Sequence, residues 1–544
     1  MRRHPAVLFA AVVALATRIS IADARSGAVA TEHQLAADAG AAALRAGGSV
    51  VDAAIAAAAA VCVVHASSCG IGGGGFALVH TEGGDAALDY RETAPAAATP
   101  DLYLRDGKPD PTLTRRGGLA VAVPGEAAGW VVLHERFGKL PLATDLAPAV
   151  RLARDGFRLG DAPHLRVQIE RSTDLLRTDA GLRVVFLDAA GNVPAPDARI
   201  VQRDLAATLE RVGRQGRRAI DAQAPAIATF VQARGGVLTA RDVRDYRPLW
   251  REPLVGTFAG RRVVTFPPPG SGGVVLEMLG ILAGDDLRAL SPGAFAHLLA
   301  GAMAEGFVDR AVWYGDTRVP VRTLLDPGRL RQLRARIPPD RVGSPTADLV
   351  VDAGTGHVSV VDADGNAVAM TTTINTTFGS GQMVPGTGMI LNDEMDDFAL
   401  PGQRNAYGLV GGEANAIAPG KRPQSSMSPT IVLDGDRPEL VVGGSGGPLI
   451  ISGVVQAVLG VVALGRDLRA AIDAPRIHDQ ATPPALAVEP ALPKETRAAL
   501  EKVGHQLKDL PAAGAVAAAG LDSARHPVAA ADKRKDGGEA IVER

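Results

Sequence analysis

The segment Gly354-Thr355-Gly356-His357 contains a threonine that could act as a nucleophile if the chain were cut directly before it. A threonine hydroxyl reacts poorly on its own, but cleavage would leave a free α-amine beside it. Such an amine has a pKa of about 7.7–8.0 and can accept the hydroxyl proton. Glycine–threonine pairs are also common at the start of strands, so the spacing alone leaves both interpretations open.

Ser445 is a second candidate nucleophile, in the motif Gly443-Gly444-Ser445-Gly446-Gly447. A G-x-S-x-G motif between a strand and a helix is typical of serine hydrolases, and Asp473 and His478 follow in the required order. The same glycines could instead supply backbone N–H groups that stabilise an oxyanion. A serine hydrolase therefore remains an alternative.

The glycine-rich segment Gly70–Gly75 satisfies the dinucleotide motif G-x-G-x-x-G. A dinucleotide site requires a strand before this motif and a helix after it, so that the helix N-terminus faces the pyrophosphate. Here we predict a helix before the motif and a strand after it. The segment is therefore predicted to be a tightly packed turn without a nucleotide.

Hydrophobic periodicity and turn residues predict an interleaved α/β chain. A capping box at Ser49-Val50-Val51-Asp52 predicts a helix that continues to about His65. The other predicted helices are 33–46, 126–137, 205–212, one after the Pro267–Gly273 turn, 329–336, 449–464 and 495–503, and the predicted strands are 76–80, 86–92, 430–433 and 439–442. Two further β-rich runs, 357–361 and 367–374, flank an Asp-Gly-Asn turn and predict a hairpin. This alternation predicts sheets between helical layers.

Composition narrows the class of protein. The chain has 544 residues, 47% of them hydrophobic and 21% charged, with 57 basic and 59 acidic side chains. These values exclude a short disulfide scaffold and a disordered chain, and the net charge of −2 argues against a dedicated nucleic-acid binder. Only Cys62 and Cys69 are cysteines, which permits at most one disulfide and leaves open whether they pair.

The N-terminus has the layout of a secretory signal peptide. Arg2 and Arg3 precede an apolar run from Ala6 to Ala16, and Ala22-Asp23-Ala24 supplies small residues for cleavage. We predict a signal peptide over residues 1–24 and a periplasmic or secreted protein, with a buried helix after a basic start as the alternative. No other run approaches the ~18 apolar residues that a membrane span needs.

Several separate segments form one ordered pattern along the chain. They are 70–76, Arg91-Glu92-Thr93-Ala94-Pro95, Val123-Pro124-Gly125, 267–273, 355–379, 391–398, 407–412, 421–431 and Ala474-Pro475-Arg476. Together these segments resemble the γ-glutamyltransferase family of N-terminal-nucleophile hydrolases. The resemblance extends from about residue 27 to residue 539.

The resemblance implies a four-layer αββα sandwich of the N-terminal-nucleophile hydrolase type, formed jointly by two fragments of a self-cleaved precursor. Cleavage between Gly354 and Thr355 would give a large fragment, 25–354, and a small fragment, 355–544, which form a heterodimer. The implied reaction transfers the γ-glutamyl group of glutathione-like donors to water, amino acids or dipeptides. No metal, organic cofactor or nucleic acid is expected, and no membrane span is expected in the mature protein.

The resemblance also implies the residues that bind the substrate. Arg91 would hold the α-carboxylate, and its alternative role is a surface ion pair with Glu92 or Asp89. Asp397, with Glu394 and Asn375, would bind the α-ammonium, unless these carboxylates form a solvated face. Ser425 and Ser426 would hydrogen-bond the α-carboxylate, unless they only shape a turn.

The remaining implied roles concern the reacting bond. Thr373 would orient the Thr355 hydroxyl, with a purely structural strand threonine as the alternative. Gly446 and Gly447 would donate N–H groups to the oxyanion. Tyr407 would belong to a lid that spans residues 399–423.

Three positions depart from the family pattern. Gly356 follows the nucleophile where many relatives carry a side chain, Pro448-Leu449 follows the glycine pair, and Lys533–Gly537 only loosely matches the family ending. Two further functions stay open: a same-family acylase for glutaryl-type or other amides and, if Gly356 or Pro448 prevents processing, an uncut chain that binds without turnover.

Overall fold

The computed structural model describes residues 25–342, 354–481 and 485–543. The predicted signal peptide, 1–24, lies outside these residues. Within the described ranges, no helix is long and apolar enough to cross a membrane.

Two antiparallel sheets form the centre of the molecule. In chain order their strands are β1 (Gly27–Thr31), β2 (Gly74–Thr81), β3 (Gly84–Asp89), β4 (Leu249–Arg251), β5 (Leu254–Phe258), β6 (Arg261–Thr265), β7 (Gly354–Asp362), β8 (Ala367–Asn375), β9 (Thr430–Asp434), β10 (Arg437–Ser445), β11 (Ala515–Leu521), β12 (Pro527–Ala531) and β13 (Gly538–Val542). The first sheet has the order β13-β1-β7-β8-β2-β3-β4, and the second has the order β12-β11-β10-β9-β6-β5. Each sheet therefore contains strands from both sides of Gly354–Thr355.

Eighteen α-helices occur in the described part of the chain. They are α1 (Gln34–Arg45), α2 (Val50–Val64), α3 (Thr112–Arg115), α4 (Glu126–Phe137), α5 (Leu142–Asp155), α6 (Pro163–Arg171), α7 (Thr173–Thr178), α8 (Ala180–Phe186), α9 (Arg203–Gln215), α10 (Arg217–Gln232), α11 (Ala240–Asp245), α12 (Gly272–Leu282), α13 (Pro292–Trp313), α14 (Val321–Leu324), α15 (Pro327–Ala335), α16 (Leu449–Val458), α17 (Leu468–Asp473) and α18 (Lys494–Lys502). Short strand pairs connect some of them.

The elements stack in four layers. One apolar core lies between the first sheet and the helices α1, α2, α4, α5 and α9. A second core includes both facing sheet surfaces and the helices α12, α13, α15 and α16. The strands β7 and β8 of the first sheet pack directly on β10 of the second. The predicted sandwich of sheets between helices is confirmed.

Elements with a strong local signal in the sequence were predicted well. The capping box of Ser49 and Asp52 is present, and the helix that follows it, α2, is buried along its whole length. The predicted hairpin corresponds to β7 and β8, whose Asp362–Asn366 turn is closed by hydrogen bonds. The predicted helix 449–464 is corrected in one respect, because it is α-helical only to Val458 and continues as a π-turn over Leu459–Ala463.

The strands β1, β4–β6 and β11–β13 were not predicted from the sequence. The sequences of β1, β11 and β12 are GAVAT, AVAAAGL and PVAAA, and alanine has a low intrinsic preference for strands. These strands form because small side chains let the two sheets approach each other closely. That packing is a tertiary effect which local patterns do not record.

Candidate active site

The hairpin of β7 and β8 positions the predicted nucleophile. Thr355 lies opposite Thr373, and the register shifts by one residue between Gly354 and Thr355. The Thr373 hydroxyl donates a hydrogen bond to the Gly354 carbonyl at 2.6 Å and lies 3.3 Å from the Thr355 hydroxyl. It accepts a hydrogen bond from the Asn375 backbone N–H at 2.9 Å. Thr373 thus contacts both the hydroxyl and the carbonyl of the predicted cleavage site.

The register shift leaves no room for a side chain at Gly354. A Cβ atom at this position would lie 2.7 Å from the Thr376 carbonyl oxygen and 2.8 Å from that of Asn375. At Gly356, by contrast, a Cβ atom would meet its first neighbour, the Cys69 sulfur, at 3.4 Å, an ordinary contact. The absence of a side chain after Thr355 is therefore not imposed by packing.

A small cavity of about 20 Å³ lies beside Thr355. It is lined by most of the residues that the sequence predicted for the site, together with two apolar neighbours: Arg91, Thr355, Thr373, Asn375, Glu394, Asp397, Tyr407, Ser425, Ser426, Met427, Gly447 and Ile450. Gly446 is the one predicted catalytic residue outside this lining. The lining therefore combines the hydroxyls of Thr355 and Thr373 with a charged group formed by Arg91, Glu394 and Asp397.

Arg91 is buried and is not a surface residue. Its guanidinium pairs with Glu394, and with Asp397 at 2.6 Å, while Glu92 lies 3.5 Å away. The Arg91 side chain is 1% exposed, which excludes the surface ion pair as its role. Its other proposed partner, Asp89, instead pairs with Arg251 and Arg422.

The carboxylates of this cluster outnumber the cations that contact them. Burial raises the pKa of Glu394 and of Asp397, and the Arg91 guanidinium opposes this rise. The pKa of Glu92 is also raised by burial. These acids are not a solvated face, and an added ammonium group would stabilise their ionised forms.

Ser425 and Ser426 also line the cavity. Ser425 Oγ accepts a hydrogen bond from the Met427 N–H at 3.2 Å, so this serine also shapes the turn. Ser426 Oγ accepts one from the Arg310 guanidinium at 3.1 Å. Both hydroxyls retain donor capacity toward the cavity.

Arg310 is a functional candidate that the sequence analysis missed. It lies on α13, is 3% exposed, and donates hydrogen bonds to the hydroxyls of Ser271 and Ser426. Burial lowers its pKa to about 10, and the nearby Asp397 carboxylate opposes this shift. Among the described residues it has no ion pair within 4 Å, so a second buried cation stands directly behind Ser426. Its position on a helix gave no sequence signal.

Lys535 is a second residue whose position was not predicted. Its ammonium donates hydrogen bonds of 2.8 Å to the Thr355 carbonyl oxygen and to Glu32. Burial alone would raise the pKa of Glu32, but Lys535 and His65 lower it below its usual value. The segment that departs from the family ending therefore contacts the predicted nucleophile, the second residue of β7. The only sequence signal was the basic run at 533–535.

Gly446 and Gly447 form a turn between β10 and α16. Their φ angles are 124° and 56°, in the region that favours glycine. Neither N–H donates a hydrogen bond to another residue in the part of the chain that the structure describes. A Cβ atom on Gly447 would lie 2.6 Å from the Tyr407 ring, so this glycine is required where the lid meets the turn.

Tyr407 connects the segment predicted as a lid to the nucleophile strand. Its hydroxyl lies 2.9 Å from both the backbone and the side-chain oxygen of Asn375, and its carbonyl accepts a hydrogen bond from Gln480. The side chain is buried between Asn375 and Gly447. It therefore covers the cavity above Thr355.

The alternative serine site is not assembled. His478 contacts the Ser452 hydroxyl at 2.6 Å and the Gln480 side chain at 3.0 Å. Asp473 pairs with Arg469 on the surface. The Ser445 hydroxyl is buried and contacts neither predicted partner.

The glycine-rich segment 70–75 is a tightly packed turn, as predicted. It follows α2 and leads into β2. A Cβ atom on Gly73 would lie 1.9 Å from the Thr373 carbonyl oxygen. The close approach holds β2 against the strand that carries Thr373, so these glycines serve the hairpin and not a nucleotide.

Two other clusters do not contribute to the site. Cys62 and Cys69 are buried and unpaired. Asp52, His134 and Asp145 could in principle hold a metal ion. However, Asp52 accepts N–H groups from Ser49 and Lys139, and none of the three residues lines the cavity.

Comparisons with known proteins agree with this geometry. The sequence profile of the family described as gamma-glutamyltranspeptidase matches residues 36–542. The chain is 39% identical to a glutathione hydrolase proenzyme of Pseudomonas aeruginosa, over 87% of this chain and 86% of that protein. It is 37% identical to the acylase ACY 1 proenzyme of Pseudomonas sp. strain V22, over 88% and 87% of the two chains. A cephalosporin acylase from Bacillus halodurans has the same fold, with a TM-score of 0.86, 30% identity and 96% coverage of both chains. The chain belongs to the gamma-glutamyltranspeptidase family.

Proposed function

We propose that this protein is a self-processing γ-glutamyltransferase and glutathione hydrolase. It transfers the γ-glutamyl group of glutathione-like donors through an ester on Thr355 to water, amino acids or dipeptides. The observation that carries the proposal is the cavity that joins the Thr355 and Thr373 hydroxyls to Arg91, Ser425, Ser426 and two buried acids. The glutathione hydrolase relatives support the same substrate.

The first reaction is cleavage of the precursor. The Thr355 hydroxyl attacks the Gly354 carbonyl carbon, and the peptide C–N bond breaks as an ester forms. Water then hydrolyses the ester, which leaves a carboxylate on Gly354 and a free amine on Thr355. The Thr373 hydroxyl supports this step because it already donates a hydrogen bond to the Gly354 carbonyl. The fragments 25–354 and 355–544 stay together as a heterodimer.

The second reaction uses the new amine as the base. It accepts the Thr355 hydroxyl proton, the oxygen attacks the γ-carbonyl carbon, and the proton passes to the leaving amine. The N–H groups of Gly446 and Gly447 stabilise the oxyanion, an effect worth about 3–4 kcal/mol for one donor elsewhere. Water or an acceptor amine then attacks the ester, and Thr355 is regenerated.

The charged and polar groups of the cavity give the reaction its specificity. Arg91, Ser425 and Ser426 bind the α-carboxylate, and Asp397, Glu394 and Asn375 bind the α-ammonium. Burial raises the pKa values of Glu394 and Asp397, so these acids favour a substrate that carries a positively charged group. A glutaryl group lacks this ammonium.

An acylase for glutaryl-type amides is the second candidate, because the chain is 37% identical to two ACY 1 acylase proenzymes and 36% and 35% identical to two of the glutathione hydrolases. The two candidates differ in their response to Asp397→Asn. This variant should lower kcat/KM for γ-glutamyl-4-nitroanilide by at least about tenfold, because a charge-assisted hydrogen bond is lost. An acylase for glutaryl groups should instead keep or improve its activity on glutaryl-4-nitroanilide.

We further propose that residues 1–24 are a signal peptide and that the protein is periplasmic or secreted. The basic start, the apolar run and the Ala22-Asp23-Ala24 sequence support this assignment. N-terminal sequencing of the exported protein would test it.

The direct test of the nucleophile combines intact mass with N-terminal sequencing. The wild-type chain should give a fragment that begins Thr355-Gly356-His357. Thr355→Ala should remain uncut and inactive, whereas Ser445→Ala should still be cut and should still hydrolyse the anilide. An active, uncut Thr355→Ala variant would contradict the proposed function.

A further inference from the structure

A second, larger space meets the active-site cavity at the glycine pair. It is an open groove with a volume of about 940 Å³. Gly446 lines this groove, whereas Gly447 lines the cavity beside Thr355. If the acyl group occupies the cavity and its oxyanion lies at the glycine pair, the groove receives what is attached to the amine side of the scissile bond.

The walls of this groove carry cations that no acid neutralises. Arg171 and Lys533 line it, are exposed, and form no ion pair within the described residues. Arg116 also lines it, and its guanidinium hydrogen-bonds the Gly379 carbonyl and the Thr376 hydroxyl. The one carboxylate that approaches it, Asp393, is 3.9 Å away.

The other charged groups of the groove are already paired. Asp536 is the only acid in its described lining, and it accepts the backbone N–H of His164 and contacts the His65 ring. Lys535 pairs with Glu32, and Arg534 with Glu489. The unpaired charge that faces the groove is therefore positive.

The groove serves the leaving amine and the acceptor alike. The amine that leaves in acylation and the amine that attacks in deacylation occupy the same side of the ester, because one step is the chemical reverse of the other. A charged wall on that side thus acts on both. Exposed charges of this kind attract oppositely charged groups with an energy that salt weakens.

Resting on the proposed function, we infer that this groove binds carboxylate groups beyond the scissile bond, so that acidic peptides are preferred as leaving groups and as acceptors. Arg171 and Lys533 determine this preference, and Arg116 adds to it. The γ-glutamyl end of the substrate is recognised separately in the cavity. The substrate class is thus a γ-glutamyl group joined to an acidic peptide.

Two isosteric donors test the inference. We would measure glutamate release from the amidated peptides γ-Glu-Ala-Glu-Glu and γ-Glu-Ala-Gln-Gln, and compare the ratio of their kcat/KM values. The wild-type ratio should favour the acidic donor and should fall in 0.5 M salt, an ionic strength at which the Debye length is only about 4 Å. In the variant Arg171→Gln with Lys533→Gln, the ratio should fall by about threefold or more.

The matched control removes the same two charge types elsewhere. Arg218 and Lys502 are exposed and line neither space, so Arg218→Gln with Lys502→Gln should keep the wild-type ratio. The acceptors Ala-Glu-Glu amide and Ala-Gln-Gln amide, with a fixed anilide donor, should give the same pattern in transfer.

Each outcome decides between the claims. A ratio near one in the wild type, or an equal fall in the control variant, would overturn the inference. If the wild type releases glutamate from the neutral donor, but the Arg171→Gln, Lys533→Gln variant keeps the wild-type ratio of kcat/KM values, this inference alone fails. If it releases no glutamate from either donor or from γ-glutamyl-4-nitroanilide, the proposed function fails, and the inference fails with it.

Discussion

At the scale of single residues, Thr373 matters for both reactions because its hydroxyl contacts both Gly354 and Thr355. The substitution Thr373→Val keeps the shape of the side chain and removes this hydroxyl. We expect self-cleavage to slow by about 100-fold or more, as for the loss of one oxyanion donor elsewhere. A time course of fragment appearance on a denaturing gel measures this rate.

The control for this change is Thr373→Ser, which retains the hydroxyl and should be cleaved at a rate closer to that of the wild type. If the valine variant were cleaved as fast as the serine variant, the hydrogen bond to the Gly354 carbonyl would have no part in processing. The threonine would then be only a strand residue, which was the alternative interpretation of its sequence.

Arg310 permits a second prediction at this scale. The substitution Arg310→Met preserves most of the buried volume but removes the donors to Ser271 and Ser426. We expect KM for γ-glutamyl-4-nitroanilide to rise by about tenfold, with a smaller change in kcat, because the role proposed for Ser426 is to bind the substrate carboxylate and not the reacting bond. Steady-state kinetics after complete self-cleavage gives both constants.

The exposed Arg318 provides the control, since Arg318→Met removes a guanidinium without affecting Ser426. An equal fall in kcat and kcat/KM for Arg310→Met, with KM unchanged, would contradict a role in substrate binding. Thermal unfolding of the variant separates a binding defect from a general loss of stability.

These residues also show which parts of the site could be predicted from the sequence. The resemblance named Arg91, Thr373, Asp397 and the serine pair, and the structure brings them into one cavity. Arg310 and Lys535 could not be named, because their partners are 116 and 180 residues away in the chain. Such contacts exist only once the layers have packed.

At the scale of elements, the helices α2 and α5 meet through a pair of carboxyl groups. Asp145 on α5 is 1% exposed, and burial together with the neighbouring Asp52 raises its pKa to about 9. In the unfolded chain its pKa is about 3.9. Because the folded state holds this proton more tightly, the contribution to stability is fully present at low pH and is lost as pH rises toward 9.

We therefore expect the melting temperature to fall between pH 6 and pH 9, and to fall less in Asp145→Asn, whose amide stays neutral. Calorimetric scans of both proteins across this range measure the difference. Asp155→Asn, at the exposed end of the same helix, should behave like the wild type. Identical pH slopes for Asp145→Asn and the wild type would show that Asp145 is ionised in the folded protein.

The elements themselves were predictable where a local signal was strong. The capping box before α2 and the Asp-Gly-Asn turn between β7 and β8 fixed the boundaries of these elements to within a few residues. The alanine-rich strands β11 and β12 gave no such signal. They pair with each other as a hairpin, but their alanines pack against β1, which lies at the other end of the chain. Only the assembled sheets therefore explain them.

At the scale of the whole molecule, the proposed cleavage site lies at the start of a central strand. In the first sheet, β7 and β8 lie between β1 and β2, and β13 forms one edge. In the second sheet, β5 and β6 precede the cleavage site, and the other four strands follow it. Breaking the bond before Thr355 therefore removes no strand pairing that holds the two fragments together.

We predict that the cleaved fragments elute as one species in native size-exclusion chromatography, at the volume of uncut Thr355→Ala, and separate only in denaturant. The segment 355–544 produced alone should aggregate, because its strands would expose unpaired edges and the apolar faces that β1, β2 and α2 normally cover. Separation of the fragments under native conditions would contradict this. It would mean that the strand pairing between the two fragments does not hold them together once the peptide bond before Thr355 is broken.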